Sequence, residues 1–80
     1  MVALGRKKRC ESRYFLQAVR LGSRLRELRV DRGYTQQQLA DRAEVALSTL
    51  RKIESAAVIE PGYFTIFSLL QALEASWDEL

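Results

Sequence analysis

Residues 35–54, with the sequence TQQQLADRAEVALSTLRKIE, predict two short helices joined by a tight turn. Thr35 is one of the residue types that cap helix N-termini, and Gln38 follows three residues later, as in a capping box. The apolar residues of both helices recur at helical spacing, which turns them toward one side. These inward residues are Leu39, Ala43, Leu50 and Ile53. This helix pair organises the rest of the chain.

The second helix of the pair, predicted over about residues 47–55, has a mainly polar outer face. The spacing that turns Leu50 and Ile53 inward leaves five other residues outside. They are Leu47, Ser48, Arg51, Lys52 and Ser55. Two helices in this arrangement form a helix-turn-helix, whose second helix enters the major groove of DNA. The pattern therefore indicates DNA binding.

A first helix is predicted upstream, because apolar residues recur at steps of four and three from Tyr14 to Leu28. Either it is continuous over about residues 12–32, or an added N-terminal helix or turn over residues 14–20 meets it at Gly22. Glycine inside a helix costs about 1 kcal/mol relative to alanine, which is the reason to consider a junction there. Three more apolar residues lie off this stripe: Phe15, Leu16 and Val19. This extension is expected either to wrap back over the domain or to meet a partner subunit.

The C-terminal part of the sequence predicts one more helix and a last turn. Pro61 closes a loop, and Gly62 is a suitable N-cap for a helix over about residues 63–73. The last turn adds Trp77, which is expected to cover the core, with a dimer contact as the alternative. The sequence therefore predicts an all-α fold, a compact bundle of about five helices that contains the helix-turn-helix.

The composition narrows the classes of function. Eighty residues suffice for one domain. One cysteine and no histidine exclude intrachain disulfides and the usual zinc sites. Neither a nucleophile with a base nor a glycine-rich phosphate loop is present, so no enzyme, metal or cofactor is expected. No apolar run suits a signal peptide or a membrane span of about 20 residues, which favours the cytoplasm.

Charge is distributed unevenly along the sequence. Residues 1–32 hold ten Lys/Arg and three Asp/Glu, a net charge of +7, whereas residues 33–80 hold three and seven, a net charge of −4. Residues 1–13 have almost nothing apolar to pack, and we expect a flexible basic arm there, before a domain over residues 14–80. Its basic run is Arg6, Lys7, Lys8 and Arg9. Either this arm is a solvated terminus, or it lies on DNA phosphates or in a minor groove.

From residue 21 to residue 80 the sequence resembles the Cro/CI-type helix-turn-helix family, also called Xre-like or lambda-repressor-like. The motifs that carry the resemblance occur in the family's order and are LGSRLRELRVDRGYTQQQLADRA, V, STLRKIE, P and LLQALEASWDEL. The resemblance implies an all-α fold of about five helices that binds double-stranded operator DNA. It also implies a homodimer with one recognition helix in each half-site.

The resemblance also implies roles for individual residues. Positions that commonly reach base edges hold Leu47, Ser48 and Lys52. Positions expected near phosphates or flanking bases hold Gln36, Arg51 and Ser55. Arg29 and Glu54 match a buried ion pair that ties the first helix to the third.

Three residues depart from the family pattern. Glu44 stands where glycine is common in the turn, so a non-glycine residue is expected in a left-handed conformation at about 1–2 kcal/mol. Ala46 replaces the usual Ser or Thr cap of the third helix, at about 1 kcal/mol. Leu47 cannot form the bidentate hydrogen bonds of Gln, Asn or Arg with a base, although it can contact a thymine methyl group. Base reading is therefore expected to be sparse.

Two functions follow from these observations. The first is a sequence-specific transcriptional regulator, expected to be a repressor, that places its third helix in the major groove. The second is an antitoxin or accessory protein with the same fold that acts mainly through protein contacts. Exposed apolar residues motivate the second, because such patches often mark partner surfaces.

Overall fold

The computed structural model describes residues 14–57 and 61–80. Within these ranges the chain has four α-helices and a short 3₁₀ helix, which confirms the expected all-α bundle of about five helices. They are α1 (Phe15–Asp31), α2 (Gln36–Ala43), α3 (Leu47–Glu54), α4 (Tyr63–Leu73) and the 3₁₀ helix (Trp77–Glu79). The predicted arm, residues 1–13 with its basic run, lies outside the described residues. The bounds of α3 and α4 agree with those predicted to within one residue.

The first helix is continuous through Gly22, so this glycine does not mark a junction. A Cβ atom at Gly22 would collide with the carbonyl oxygen of Ile53 and lie 2.9 Å from that of Glu54. Glycine is therefore required because α1 crosses the end of α3 with the two backbones almost in contact. This crossing brings the middle of α1 beside the last turn of α3.

The start of α1 differs from the expectation. Tyr14 was predicted to begin the inward stripe, but it occupies the N-cap, one residue before the helix, and is exposed. Leu16 is 63% exposed, and Val19 is also exposed. Because these residues belong to one unbroken helix, the described extension does not wrap back over the domain. Its contact with a partner subunit stays a prediction.

The core lies where all four α-helices meet. The side chains with almost no exposure come from each of them and are Leu25, Leu28, Leu39, Leu50, Ile53, Leu69, Leu70 and Leu73. Burial of one such side chain contributes about 1.5–3 kcal/mol relative to leaving it in water. This shared core fixes α2 and α3 against α1 and α4 and so determines which face of α3 points outward.

The turn between α2 and α3 has the strained geometry that the sequence predicts. Thr35 and Gln38 form the capping box that begins α2. At the other end of the helix Glu44 adopts the left-handed conformation, with φ 59° and ψ 41°. Ala46 occupies the N-cap of α3 and provides no side-chain hydrogen bond to the helix. Core packing therefore holds this turn in place despite two unfavourable residues.

Arg24 of α1 and Arg32, the C-cap residue of α1, bind the C-terminal segment. The Nε of Arg32 donates to the carbonyl oxygen of Leu73 at 2.6 Å, and the Nε of Arg24 donates to the carbonyl oxygen of Glu79. The guanidinium of Arg32 also lies 3.5 Å from the Glu79 carboxylate. These contacts secure the 3₁₀ helix on α1 and satisfy carbonyl groups at the ends of two helices.

Trp77 does not cover the core as expected. Its side chain is 44% exposed, and its ring stacks on that of Tyr63, with 5.2 Å between the ring centroids. Leu80 is the residue that packs against the core cluster instead. The reason is that the 3₁₀ helix turns Trp77 toward the N-terminal end of α4, where the aromatic rings of α4 are exposed.

Candidate nucleic-acid interface

The outer face of α3 is polar and open. Four of its predicted contact residues are exposed: Ser48, Arg51, Lys52 and Ser55. Neither Arg51 nor Lys52 has a side-chain hydrogen bond or ion pair with any described residue, so both cationic groups can be directed at an anionic ligand. The Oγ of Ser55 donates to the carbonyl oxygen of Lys52 at 3.3 Å. The face therefore offers two cations and two hydroxyls within two turns of helix.

Leu47 differs from the other residues of this face. It is half-buried and packs against the core cluster. Because part of its side chain is engaged with the protein, only the remainder is available to a base. Leu47 stands at the first position of α3, directly after the uncapped Ala46. Its packing therefore helps to hold the N-terminal end of α3, in addition to any contact with DNA.

A buried ion pair joins α1 to α3 behind this face. Arg29 donates twice to Glu54, from Nε to Oε2 at 2.8 Å and from the terminal nitrogen Nη2 to Oε1 at 3.2 Å. The side chains of Arg29 and Glu54 are only 11% and 5% exposed. Arg29 also donates to the carbonyl oxygen of Tyr34 at 2.9 Å, just before α2. The Arg29 guanidinium therefore links α1 both to the end of α3 and to the segment that leads into α2.

Gln36 joins this network, which the sequence did not indicate. Its Nε2 donates to the Oε1 atom of Glu54 at 3.0 Å. A carboxylate only accepts hydrogen bonds, so Glu54 fixes the orientation of the Gln36 amide. Gln36 is also the first residue of α2, where backbone N–H groups are free to bind an anion. The residue that is expected to contact a phosphate is thus hydrogen-bonded to the carboxylate of the ion pair.

Several arginines of α1 and its C-cap bind other groups of the protein. Arg24, Arg29 and Arg32 are engaged with carboxylates or carbonyl groups. Arg20 and Arg26 are exposed and have no such contact with the described part of the chain. The first three guanidinium groups are therefore held by partners within the protein, whereas those of Arg20 and Arg26 are free to meet a ligand.

Arg26 is a candidate contact that the sequence reasoning missed. It lines a cleft beside α3 together with Gln36 and Arg51. The sequence does place Arg26 on the same side of α1 as Gly22 and Arg29, one helical turn after the first and about one turn before the second. The close approach at Gly22 could not be inferred from the sequence alone.

A helix-turn-helix family model matches residues 25–80, which is most of the chain. The chain belongs to the Cro/CI-type helix-turn-helix family. It is also similar to the restriction-modification controller protein C.AhdI from Aeromonas hydrophila, whose crystal structure superposes with a TM-score of 0.77. The two sequences are 29% identical, and the match covers 81% of this chain and 97% of that chain. No curated protein matches the sequence significantly.

These findings establish the all-α helix-turn-helix fold and a DNA-binding transcription regulator. Within the described ranges, no helix is both long and apolar enough to cross a membrane.

Proposed function

We propose that the chain is a sequence-specific repressor that places α3 in the major groove of double-stranded DNA. The observation that carries this proposal is the outer face of α3, where Ser48, Arg51 and Lys52 are exposed. Arg51 lines one cleft with Gln36, the first residue of α2. A protein seated there covers the promoter DNA it binds, which favours repression when the site overlaps the start of transcription. The similarity to a restriction-modification controller supports a regulatory role.

In this proposal base reading depends on few side chains. The Lys52 ammonium donates to guanine O6 or N7, and the Ser48 hydroxyl bonds to either kind of base edge. The exposed part of Leu47 contacts a thymine methyl group. Because these contacts are sparse, phosphate contacts and DNA shape supply much of the affinity and specificity. Gln36, Arg51 and Ser55 are the phosphate or flanking contacts.

We further propose that the regulator is a homodimer joined through an aromatic patch, defined as Tyr63, Phe64, Phe67 and Trp77. Phe64 is 76% exposed, and the rings of Phe64, Phe67 and Trp77 all contact the ring of Tyr63. Exposed aromatic clusters of this kind are typical of interfaces. Two copies related by a two-fold axis present two α3 helices to half-sites about 34–36 Å apart.

The alternative function, an antitoxin or accessory protein, rests on a different surface. Leu16 and Val19 remain exposed on α1. A protein partner that covers them fits a DNA-binding antitoxin as well as a repressor. Co-purification of the full chain with the products of adjacent genes separates the two, because a stoichiometric complex that excludes DNA favours the alternative.

Selection of bound duplexes from a random library tests the proposed function. We expect a two-fold-related consensus, and we expect Lys52→Ala to weaken binding to it about tenfold or more while relaxing the preference at one base pair. Arg20→Ala is the matched control on α1. If no duplex is enriched, and binding never exceeds the non-specific level at moderate salt, the proposal is wrong.

A further inference from the structure

A cleft of about 330 Å³ opens between α1, the start of α2 and the end of α3. Its walls and floor are formed by Arg26, Arg29, Gln36, Arg51, Glu54 and Ser55. Three of these six residues are arginines, and all six side chains carry hydrogen-bonding groups. The cleft is therefore built for a polar ligand of a few atoms.

The charge of the cleft is positive because its only carboxylate is already paired. Glu54 accepts two hydrogen bonds from Arg29 and one from Gln36, so its charge is balanced within the floor. Arg26 and Arg51 have no carboxylate partner among the described residues. Two guanidinium groups, one from α1 and one from α3, thus face a cleft with no free negative charge.

Gln36 supplies a directional donor at the same place. Its amide nitrogen carries two hydrogens, and the bond to Glu54 uses one of them. The amide is held by that bond, so its second hydrogen has a fixed direction. An anion in the cleft would therefore meet two guanidinium groups, and the Gln36 amide keeps one N–H hydrogen that its bond to Glu54 does not use.

We propose that this cleft binds one phosphate of the DNA backbone and that Arg26 is a DNA-contacting residue, acting jointly with Arg51. This inference rests on the proposed function and adds a contact from α1. Guanidinium groups bind phosphate oxygens through two parallel hydrogen bonds, which gives direction as well as charge. The phosphate fixes the position of α3 in the groove because it joins the end of α3 to α1.

The close crossing at Gly22 makes this site possible. Arg26 lies four residues after Gly22, one helical turn along the same side of α1. A Cβ at Gly22 would meet the backbone of Ile53 and Glu54, so the two helices are as close there as backbones allow. The side chain of Arg26 consequently reaches the cleft that the last turn of α3 lines.

The test uses fluorescence anisotropy of the full chain with a labelled duplex from the library selection and with a labelled duplex of unrelated sequence. Binding is measured over about 50–200 mM salt for the wild type, Arg26→Gln, Arg51→Gln and the double variant. Arg20→Gln is the matched control, because Arg20 is an exposed arginine of α1 that does not line the cleft. Arg26→Lys keeps the positive charge and tests whether the two parallel hydrogen bonds of a guanidinium group contribute beyond that charge. Circular dichroism melting checks that each variant is folded.

We expect Arg26→Gln to weaken binding to both duplexes about five- to tenfold and to lower the salt slope, with the full reduction of about 0.9, the value for one phosphate, reached in the double variant. Arg26→Lys should restore part of the loss. Because the two arginines share one phosphate, the double variant should lose less than the product of the single losses.

Three results would overturn the inference while leaving the proposed function intact. One is an Arg26→Gln variant that matches Arg20→Gln in affinity and salt slope. The second is a double variant whose losses multiply, since that places Arg26 and Arg51 on separate phosphates. The third is a loss confined to the selected duplex, which would indicate base reading. A wild-type chain that binds neither duplex overturns the proposed function itself.

Discussion

Replacement of Arg29 by alanine should destabilise the domain severely, because it leaves the Glu54 carboxylate buried with a single hydrogen bond from Gln36. The variant loses both bonds from Arg29 to Glu54 and the bond to the carbonyl oxygen of Tyr34. Removal of one partner from a buried ion pair costs about 3–5 kcal/mol. A domain of 80 residues has a total stability of about 4–12 kcal/mol, so this loss is a large fraction of it.

The assay is urea unfolding followed by circular dichroism, with thermal melting as a second measure. For a domain of this size 1 kcal/mol corresponds to about 4–8 °C, so a loss of 3 kcal/mol lowers Tm by at least about 12 °C. Arg20→Ala is the matched control, because Arg20 is an exposed arginine of α1 with no hydrogen bond or ion pair to any described residue, and its loss should cost no more than about 0.5 kcal/mol.

A second variant separates the ion pair from general damage to the helix. Arg29→Met combined with Glu54→Leu removes both charges and keeps similar volume, so it should be more stable than Arg29→Ala alone. A loss below about 1 kcal/mol for Arg29→Ala would refute the reasoning, since that is the range of a solvated surface pair. A double variant that is no more stable than the single one would show that the uncompensated charge is not the cause.

Three further substitutions test other features. Gly22→Ala should destabilise the domain by about 1–3 kcal/mol in urea unfolding, because the added Cβ forces α1 away from α3. Alanine alone would favour the helix, so a gain in stability would contradict the close crossing. Glu44→Gly should raise the free energy of unfolding by about 0.5–1 kcal/mol through relief of the left-handed turn, whereas Glu44→Ala should not; equal effects would argue against strain. Phe64→Ser should shift sedimentation toward the monomer with the melting temperature nearly unchanged, whereas Leu16→Ser should not; an unchanged mass would place the dimer interface elsewhere.

Local sequence signals predicted most of the fold. The capping box at Thr35 and the stripe of leucines identify α2 and α4 because caps and helical spacing act within a few residues. The left-handed turn at Glu44 was also predictable, since the family pattern has glycine there. These signals are short in range, and the structure agrees with them.

The failures concern contacts between distant residues. The role of Gly22 was ambiguous because helix propensity says nothing about contacts with another helix. The backbone that approaches Gly22 belongs to Ile53 of α3, 31 residues later in the chain. Trp77 was expected to cover the core, with a dimer contact as the alternative, and its stack on Tyr63, 14 residues earlier in the chain, is not a local signal. The hydrogen bonds of Arg24 and Arg32 could not be predicted from net charge, because their partners, the carbonyl groups of Glu79 and Leu73, lie 55 and 41 residues later in the chain. The cleft at Arg26 needs three helices to meet, and periodicity in one helix cannot reveal it.

On the short helix α3, Glu54 has a structural role, whereas its neighbours Arg51 and Lys52 do not take part in the hydrogen-bond network around it. Glu54 holds α1 and α2, so a change there alters folding and docking together. Arg51 and Lys52 have no hydrogen bond or ion pair with any described residue, so substitutions there leave the frame intact. Under the proposed function, exchange of Lys52 can therefore change the preferred operator, and exchange of Arg51 can change the overall affinity, at almost no expense in stability. Glu54, two residues after Lys52, cannot be replaced without loss of the contacts that hold α1 and α2.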